Sequence, residues 1–454
     1  MNRQQISLTQ GSIWKAILFF AFPIFLGQVF QQLYNTFDAW CVGYFINDNA
    51  MGAVTSSGSL IFLMGSFFNG LAMGAGVVIA RYYGAKNDDA VSKTIHTAIA
   101  FGLCTGTALT VAGITCTPII LRWMGAPEDT MVYSIPYFRF YFCGAIFTVM
   151  YNIFVGIHHA VGDSKHPLYY LICSTMVNIV LDLLFVGVMG FGVGSAALAT
   201  TISQGISALL CCIHLMRSTG PTRLYLRKIR FHWKNLQEII RYGLPSAIQN
   251  SVIALANVVV QSNIFAFGPD AVNGCGAYSK LEGFAFLPVM CFSQSLSTFT
   301  GQNLGAEQHD RVKKGVGFGI VCSLIMAQIV GLLSYIFAPQ LIGFFAKSEA
   351  AIAYGTQHMR TICLFYGLLA FSHCIAGIMR GAGKATVPMF TMLACWCVIR
   401  VSYITIAVKF APKLTTVSWA YPLTWTLSSV VFLIYFLKAD WIHNFDRQKA
   451  KKAT

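Results

Sequence analysis

The sequence has little charge for its length. Asp, Glu, Lys and Arg together make up only 10% of the 454 residues, whereas hydrophobic residues make up 56% and aromatic residues 14%. Soluble globular domains carry about 25% charged residues. The shortage of charge therefore excludes an ordinary soluble protein, and it predicts an all-α polytopic membrane protein.

Several chemical motifs are also missing. None of the 14 cysteines forms a CxxC pair or a Cys/His spacing typical of a metal site, so we expect no disulfide framework. The chain has no HExxH or GxSxG motif, and we therefore expect neither an enzyme nor a cofactor. The net charge of +15 does not indicate nucleic-acid binding, because the basic residues lie in short loops between apolar segments.

Long apolar segments fill most of the chain, six before a basic linker at 217–239 and six after it. Each is long enough to cross a hydrocarbon core of about 30 Å. We predict twelve transmembrane helices, at about 16–44, 53–80, 94–117, 133–157, 167–189, 193–216, 240–266, 281–303, 315–337, 354–379, 386–409 and 415–437. With both termini in the cytoplasm, only five of the 31 Lys and Arg residues lie in outer loops, as the positive-inside rule favours.

The two sets of six helices repeat each other. AFPIFLGQVFQQLYN at 21–35 aligns with GLPSAIQNSVIALAN at 243–257, an offset of 222. GIHHAVGDSKHP at 156–167 aligns with GIMRGAGKATVP at 377–388, an offset of 221. Because six is even, both halves have the same orientation, and we predict two six-helix bundles related by a parallel repeat. The predicted domains are the first bundle, the linker, the second bundle and a basic tail, at 1–216, 217–239, 240–437 and 438–454.

Two predicted helices carry a carboxylate inside the membrane. A charged group at a helix centre costs about 2.5–3.5 kcal/mol, so such a residue usually contacts water, an ion or a partner. On helix 5, Asn178 and Asp182 lie four residues apart and therefore on one face. On helix 1, a polar face follows the i, i+3, i+4, i+7 pattern and comprises Gln31, Tyr34, Asn35 and Asp38.

Asp38 and Asp182 belong to one depth of the membrane. Both helices run outward in the predicted topology, and each carboxylate lies a few residues before the outer end. Two neighbouring carboxylates beside the Asn178 amide suit a proton or a sodium ion, because their proton affinities rise and couple. The alternative is that each carboxylate is a separate structural residue, hydrogen-bonded to a neighbouring helix. Thr200 on helix 6 is either a further ligand or bonded to its own helix carbonyl.

A substrate cavity between the halves is expected from the parallel repeat. We predict that Gln31 and Asn35 line it from the first half, and that residues of the second half complete it: Asn257, Gln261 and Arg400. Arg400 lies near the middle of helix 11 and needs an anion, either Glu282 or a group of the substrate.

Several motifs together resemble the multidrug and toxic compound extrusion (MATE) family. They are a proline in helix 1 ahead of an intramembrane Asp, YGAK and GQNLGA after helices 2 and 8, and NIVLD followed by GSAALATTISQ. The similarity covers nearly the whole chain. It implies a bacterial inner-membrane antiporter that acts as a monomer in the lipid bilayer and exports organic cations in exchange for H⁺ or Na⁺.

The resemblance also implies roles for single residues. In the branch with a cation site in the N-terminal half, the ion binds on helices 1, 5 and 6, which here corresponds to Asp38, Tyr34, Asn178, Asp182 and Thr200. The proline, Pro23, would let helix 1 bend when the site is protonated. The repeat positions opposite the two carboxylates are Val260 and Tyr403, so a second equivalent site is not expected. A flippase for lipid-linked saccharides has a related architecture and stays an alternative.

Overall fold

A computed structural model describes residues 8–45, 48–123, 128–191 and 194–447. In these residues the regular secondary structure is helical, without strands, and it falls into twelve stretches. The six in the first half are α1 (Ile13–Phe45), α2 (Asp48–Gly84), α3 (Asp88–Trp123), α4 (Glu128–Cys143 and Ala145–Ala160), α5 (Lys165–Asp182, continued by a π-helical turn at Leu183–Val188) and α6 (Gly194–Arg217). The predicted all-α class is confirmed.

The second half follows a linker that contains two short 3₁₀ turns, Gly220–Thr222 and Leu226–Lys228. Its six stretches are α7 (Trp233–Phe265), α8 (Pro269–Ala285 and Leu287–Gly305), α9 (His309–Ile336), α10 (Glu349–Cys363 and Tyr366–Gly381), α11 (Thr386–Met392, the π-helical Leu393–Ile399, and Arg400–Phe410) and α12 (Leu414–Ser418 and Ala420–Lys438). A short helix, Ala338–Gly343, lies ahead of α10.

The helix α8 starts 12 residues earlier than predicted, at Pro269 instead of 281, which is about three turns. The sequence predicted a start near 281, but the helix begins at Pro269, directly after Gly268 with its positive φ of 93°. Proline is tolerated in the first turn of a helix, because a backbone N–H there would have no intrahelical acceptor. Glycine adopts a positive φ without strain. These two residues define where the helix begins. The residues that follow are polar, so hydropathy did not predict this part of the helix.

α4 and α10 are broken at equivalent places. The two parts of α4 meet at Gly144 with a bend of 46°, and those of α10 meet between Cys363 and Tyr366 with a bend of 54°. The offset of 221 takes Gly144 to Phe365, so the break belongs to the repeat. A side chain at 144 could not fit, because its Cβ would lie 2.4 Å from the Thr201 hydroxyl oxygen on α6.

The described chain forms two compact units. Over their described residues, one comprises 26–244, and the other comprises 8–25 with 245–447. The first part of α1 therefore groups with the second unit, and the linker groups with the first. In the first unit, α2, α3, α4 and α6 share one apolar core. In the second, a Cβ on Gly377 would lie 2.3 Å from the backbone oxygen of Ser293, so α8 and α10 pack backbone to backbone.

The helices suit a membrane. Eight of the described helices are long and apolar enough to cross one, and the count reaches ten if each bent pair is one span. Large apolar side chains face outward, among them Phe22 at 60%, Val188 at 78% and Phe410 at 85% exposure. Exposed apolar surface on this scale marks contact with lipid rather than water. The protein is a multi-pass membrane protein, as its composition predicted.

Candidate cation site

Three helices of the first unit place polar side chains in one cluster. α1 contributes Tyr34 and Asp38, α5 contributes Asn178 and Asp182, and α6 contributes Thr200. Asn178 and Asp182 are fully buried, whereas Tyr34 and Asp38 are 5% and 9% exposed. The two carboxylates are close enough to interact electrostatically, and Tyr34 lies near both of them and near Thr200. The structure thus brings together all five residues predicted for the cation site.

The polar atoms of this cluster lack hydrogen bonds. Within the described residues, partners are missing for the buried Tyr34 hydroxyl, Asp38 Oδ1, both side-chain amide atoms of Asn178, both carboxylate oxygens of Asp182 and the Thr200 hydroxyl. The Thr200 hydroxyl lies close to Tyr34, and the Asn178 amide lies close to Asp182. In folded proteins nearly all buried polar atoms form hydrogen bonds, because a buried polar atom without a hydrogen bond costs about 1–3 kcal/mol. The cluster therefore offers oxygen atoms that a proton or an ion could satisfy.

The chemistry of the cluster favours a small hard cation or a proton. Carboxylate, amide, hydroxyl and phenol groups all present oxygen, which hard cations prefer as a ligand. Among the described residues, no Lys, Arg or His side chain forms an ion pair with Asp38 or Asp182. Two desolvated carboxylates in proximity cannot both stay ionised without a counter-charge. The residues present thus fit either a shared proton or a sodium ion.

A change of helix type follows Asp182 directly. The α-helical part of α5 ends at this residue, and the chain continues in the π-helical turn Leu183–Val188. π-helical turns are uncommon and occur mostly at functional sites. The departure from the α-helical pattern therefore begins directly after the carboxylate residue, whose own φ of −62° and ψ of −48° are α-helical.

The equivalent positions of the second unit are apolar. Val260, the counterpart of Asp38, is 1% exposed and packs in a cluster with Ile264 and Ile404. Tyr403, the counterpart of Asp182, packs against the same cluster. The second unit thus has no carboxylate at either position.

Arg400 is a buried charge of the second unit, 1% exposed. Its guanidinium donates to the Thr424 hydroxyl at 3.0 and 3.3 Å and to Asn257 Oδ1 at 3.4 Å, and it lies over the rings of Trp396 and Tyr421. Glu282, which sequence analysis offered as its anion, is near enough to interact electrostatically. However, no ion pair joins the two in the part of the chain that the structure describes, and the carboxylate of Glu282 accepts instead from the Tyr278 hydroxyl at 2.8 Å.

The remaining predicted residues divide between the two units. Gln31 is partly buried and Asn35 exposed on the first-unit part of α1, and Gln261 is partly buried on α7. Pro23 is buried inside α1, in the part that groups with the second unit. Their assignment to a substrate cavity, and to bending of α1, stays a prediction.

The MatE family model matches residues 23–184 and again 245–406, so one family domain occurs in each half. The two matches cover well over half of the chain. This protein belongs to the MatE family.

Curated relatives of this MatE chain are named as drug-resistance proteins. The probable multidrug resistance protein YoeA of Bacillus subtilis is 28% identical over 397 residues, which is 86% of each chain. The probable multidrug resistance protein NorM of Thermotoga maritima is 24% identical over 440 residues, 94% of this chain and 93% of that protein.

Solved structures share the fold. A MOP superfamily transporter from Pyrococcus furiosus has a TM-score of 0.90 at 22% identity and covers 100% of both chains. An outward-facing multidrug resistance MATE family transporter has a TM-score of 0.90 at 23% identity and covers 96% of this chain and 97% of its own. The MatE chain therefore has twelve helices in two six-helix bundles.

Sequence analysis missed part of the surroundings of the site. Tyr137 and Tyr141 on α4 lie within electrostatic range of Asp38, and they pack with Cys41 and Val186 of α1 and α5. Their spacing of four residues on one helix face was a signal that could have indicated them. These two tyrosines place further aromatic rings beside the candidate cation site, in addition to Tyr34.

Proposed function

We propose that this MatE protein is a secondary antiporter that exports organic cations across a bacterial plasma membrane in exchange for protons or sodium ions. The observation that carries the proposal is the pair of buried carboxylates, Asp38 and Asp182, whose oxygens lack protein partners within the described residues. The multidrug-resistance names of relatives such as YoeA support export of drugs rather than uptake of a nutrient.

Ion transport and substrate transport are coupled because the ion and the organic cation compete for the same negative charge. When a proton or Na⁺ occupies the carboxylate pair, the negative charge that attracts an organic cation is neutralised. A ligand shifts an alternating-access equilibrium only by its different affinity for the two states. Ion and substrate that favour different states therefore exchange across the membrane, and downhill entry of the ion drives uphill exit of the substrate.

The surrounding residues have supporting roles in this scheme. Tyr34, Asn178 and Thr200 supply further oxygen atoms to the ion. Pro23 removes one backbone hydrogen bond inside α1, since proline has no N–H, and this weak point lets the helix bend as the ion binds or leaves. A bend there would move the part of α1 that carries Asp38.

We assign the substrate to the class of amphipathic organic cations. The proposed coupling site is acidic, and aromatic rings such as those of Tyr137 and Tyr141 lie beside it. Aromatic faces attract cations. Gln31, Asn35, Asn257 and Gln261 would add hydrogen-bonding groups to the cavity, and Arg400 would repel a second positive charge.

A lipid-linked saccharide flippase is not favoured. Such a protein would need several cationic side chains in its cavity to hold a phosphate, and Arg400 was the single candidate found in the sequence. Thr424, Asn257 and two aromatic rings already engage its guanidinium. The named relatives are multidrug-resistance proteins.

Both termini are proposed to be cytoplasmic, as charge distribution favours. Thr222 in the linker is buried and would make a poor reporter, whereas Arg227 is exposed. On a cysteine-free background, Arg227→Cys should be protected from an impermeant maleimide in intact cells, and the exposed Lys347→Cys should react. Labelling of Arg227→Cys without labelling of Lys347→Cys would show that the orientation is the reverse of the one proposed. A second outer reporter, Asn47, lies outside the described residues.

The decisive experiment is transport by purified protein in proteoliposomes. A fluorescent organic cation is loaded, and a proton gradient or a sodium gradient is imposed separately. We expect one gradient to drive accumulation against the substrate gradient, and we expect Asp38→Asn and Asp182→Asn to abolish it. Binding of the cation without any response to either gradient would contradict the antiport proposal.

A further inference from the structure

A second buried carboxylate centre lies at the other end of the first unit. Asp163 follows α4, in the short loop ahead of α5, and its side chain is 2% exposed. Three histidines surround it: His158 from the end of α4, His166 from the start of α5 and His214 from the end of α6. The ends of three helices therefore meet at one carboxylate, far along α5 from Asp182.

The imidazole nitrogens converge on one oxygen atom. Asp163 Oδ2 lies 3.1 Å from His158 Nδ1, 2.8 Å from His166 Nδ1 and 3.9 Å from His214 Nε2. The other oxygen, Oδ1, accepts from the backbone N–H of His166 at 3.2 Å, which fixes the carboxylate in place. Ligand atoms of His158, Asp163 and His214 all lie within 4.8 Å of one another.

This geometry matches the demands of a transition metal. Zinc binds imidazole nitrogen and carboxylate oxygen at about 2.0–2.2 Å, and a tetrahedral site then holds its ligand atoms roughly 3.3–3.6 Å apart. The nitrogen–oxygen distances here fall on both sides of that range, so small side-chain shifts would complete the site. Hard cations such as Mg²⁺ prefer oxygen ligands, and a set rich in imidazole disfavours them.

Outer contacts and access also fit a metal site. The Tyr170 hydroxyl lies 2.8 Å from His214 Nδ1 and so holds the ring with Nε2 toward Asp163. Metal-binding histidines usually have such a partner on the second nitrogen. His158 Nδ1 contacts Asp163 Oδ2, while its Nε2 is buried without a hydrogen-bond partner in the described residues and can carry the ring proton when Nδ1 binds a metal. His166 and His214 are 18% and 25% exposed, which leaves a path from solvent.

The repeat supplies an internal comparison. The offset of 221 takes Asp163 to Lys384 and His214 to Tyr435, and these two also meet, with Lys384 Nζ donating to the Tyr435 hydroxyl at 3.3 Å. The fold thus brings the same two positions together in both halves. In the second half neither position offers a zinc ligand, and the counterpart of His158 is the buried Met379. The fold itself does not require the histidines and the carboxylate.

We propose that His158, Asp163, His166 and His214 form a binding site for a divalent late transition metal, with Zn²⁺ as the probe. Binding ties together the ends of α4, α5 and α6. The site is separate from the carboxylate pair of Asp38 and Asp182, and the proposal does not depend on the transported substrate or the coupling ion.

The test is calorimetric titration of ZnCl₂ into purified full-length protein, with the affinity tag removed and Mg²⁺ in excess. We expect one Zn²⁺ per chain. The double variant His158→Gln/His214→Gln should weaken binding at least a hundredfold, and Tyr170→Phe should weaken it about 10- to 100-fold. His309→Gln is the matched control, because His309 lies 3.3 Å from Asp446 in the second unit and should leave the affinity unchanged.

The outcomes separate clearly. Absence of Zn²⁺ binding by the unmodified protein, wild-type affinity in the double variant, or loss confined to His309→Gln would each overturn the proposal. If the double variant does not fold, Co²⁺ added to the unmodified protein decides. A visible spectrum of low-coordinate Co²⁺ with nitrogen ligands supports the site, and the spectrum of aqueous Co²⁺ refutes it.

Discussion

The two halves of the chain share a fold but differ at the repeat positions of the two membrane carboxylates. In the first half, Asp38 and Asp182 are buried beside each other with unpaired oxygens. In the second half their counterparts, Val260 and Tyr403, belong to an apolar cluster. Arg400, a buried charge of that half, has hydrogen bonds and aromatic partners.

This difference distinguishes a ligand-binding site from a group with a structural role. A buried polar group whose bonds are complete stabilises one structure and has little reason to change partners. A group whose bonds are incomplete gains free energy from any ligand that completes them. The unpaired carboxylates of the first half are therefore the groups that our proposal assigns to ion binding, whereas Arg400 already has its contacts.

The largest effect is expected from removing the carboxylate charge in the first half. Asp38→Asn and Asp182→Asn keep the size of the side chain but cannot exchange a proton or balance Na⁺, so each should abolish gradient-driven transport in proteoliposomes. Combining them should add little, because both residues act on one ion and effects within one unit are not additive.

A matched control is Asp163→Asn, at the carboxylate outside the proposed transport site. Burial alone would raise the pKa of Asp163, but hydrogen bonds from His158 and His166 outweigh it and hold the pKa well below its usual value. This variant should keep ion coupling. Ion-driven transport surviving in the double Asp38/Asp182 variant would instead move the coupling site to Glu282 and the second half.

A smaller effect, on stability, is expected from placing a carboxylate in the second half. Val260→Asp would bury a charge in a cluster of mainly apolar side chains, at a cost of about 3 kcal/mol. Thermal unfolding in detergent should show a clear drop in Tm. Val260→Asn is the matched variant, since it has the same size without the charge and should lose less. An unchanged Tm for Val260→Asp would mean that the second half can host an ion after all.

Much of the fold could be predicted from the sequence. The twelve apolar segments, the repeat and the membrane class follow from composition and hydropathy, because lipid forces each segment to satisfy its own backbone. Helical spacing placed Tyr34 with Asp38, and Asn178 with Asp182, on one helix face each. The set across three helices, with Thr200 included, was what the family resemblance implied.

The structural features that the sequence did not predict depend on contacts between residues far apart in the chain. The break at Gly144 reflects the close approach of Thr201 on another helix, and the π-helical turn after Asp182 has no local signature. Helix 5 and helix 6 bring His214 to Asp163 across some fifty residues of sequence. Hydropathy reports which residues enter the membrane, but not which helix ends meet there.

The smallest effect is expected from Gln261→Ala on α7. Gln261 is partly buried in the half that has no carboxylate at the repeat positions, so it can contribute to substrate affinity without contacting the ion. The ion concentration for half-maximal transport should stay within about twofold of the wild type, or roughly 0.4 kcal/mol, while the substrate KM rises. Asn178→Ala gives the contrast, because loss of an amide beside Asp182 should raise the half-maximal ion concentration about tenfold, or roughly 1.4 kcal/mol. Equal shifts in both variants would show that ion binding extends into the second half, and the division of labour between the halves would then be wrong.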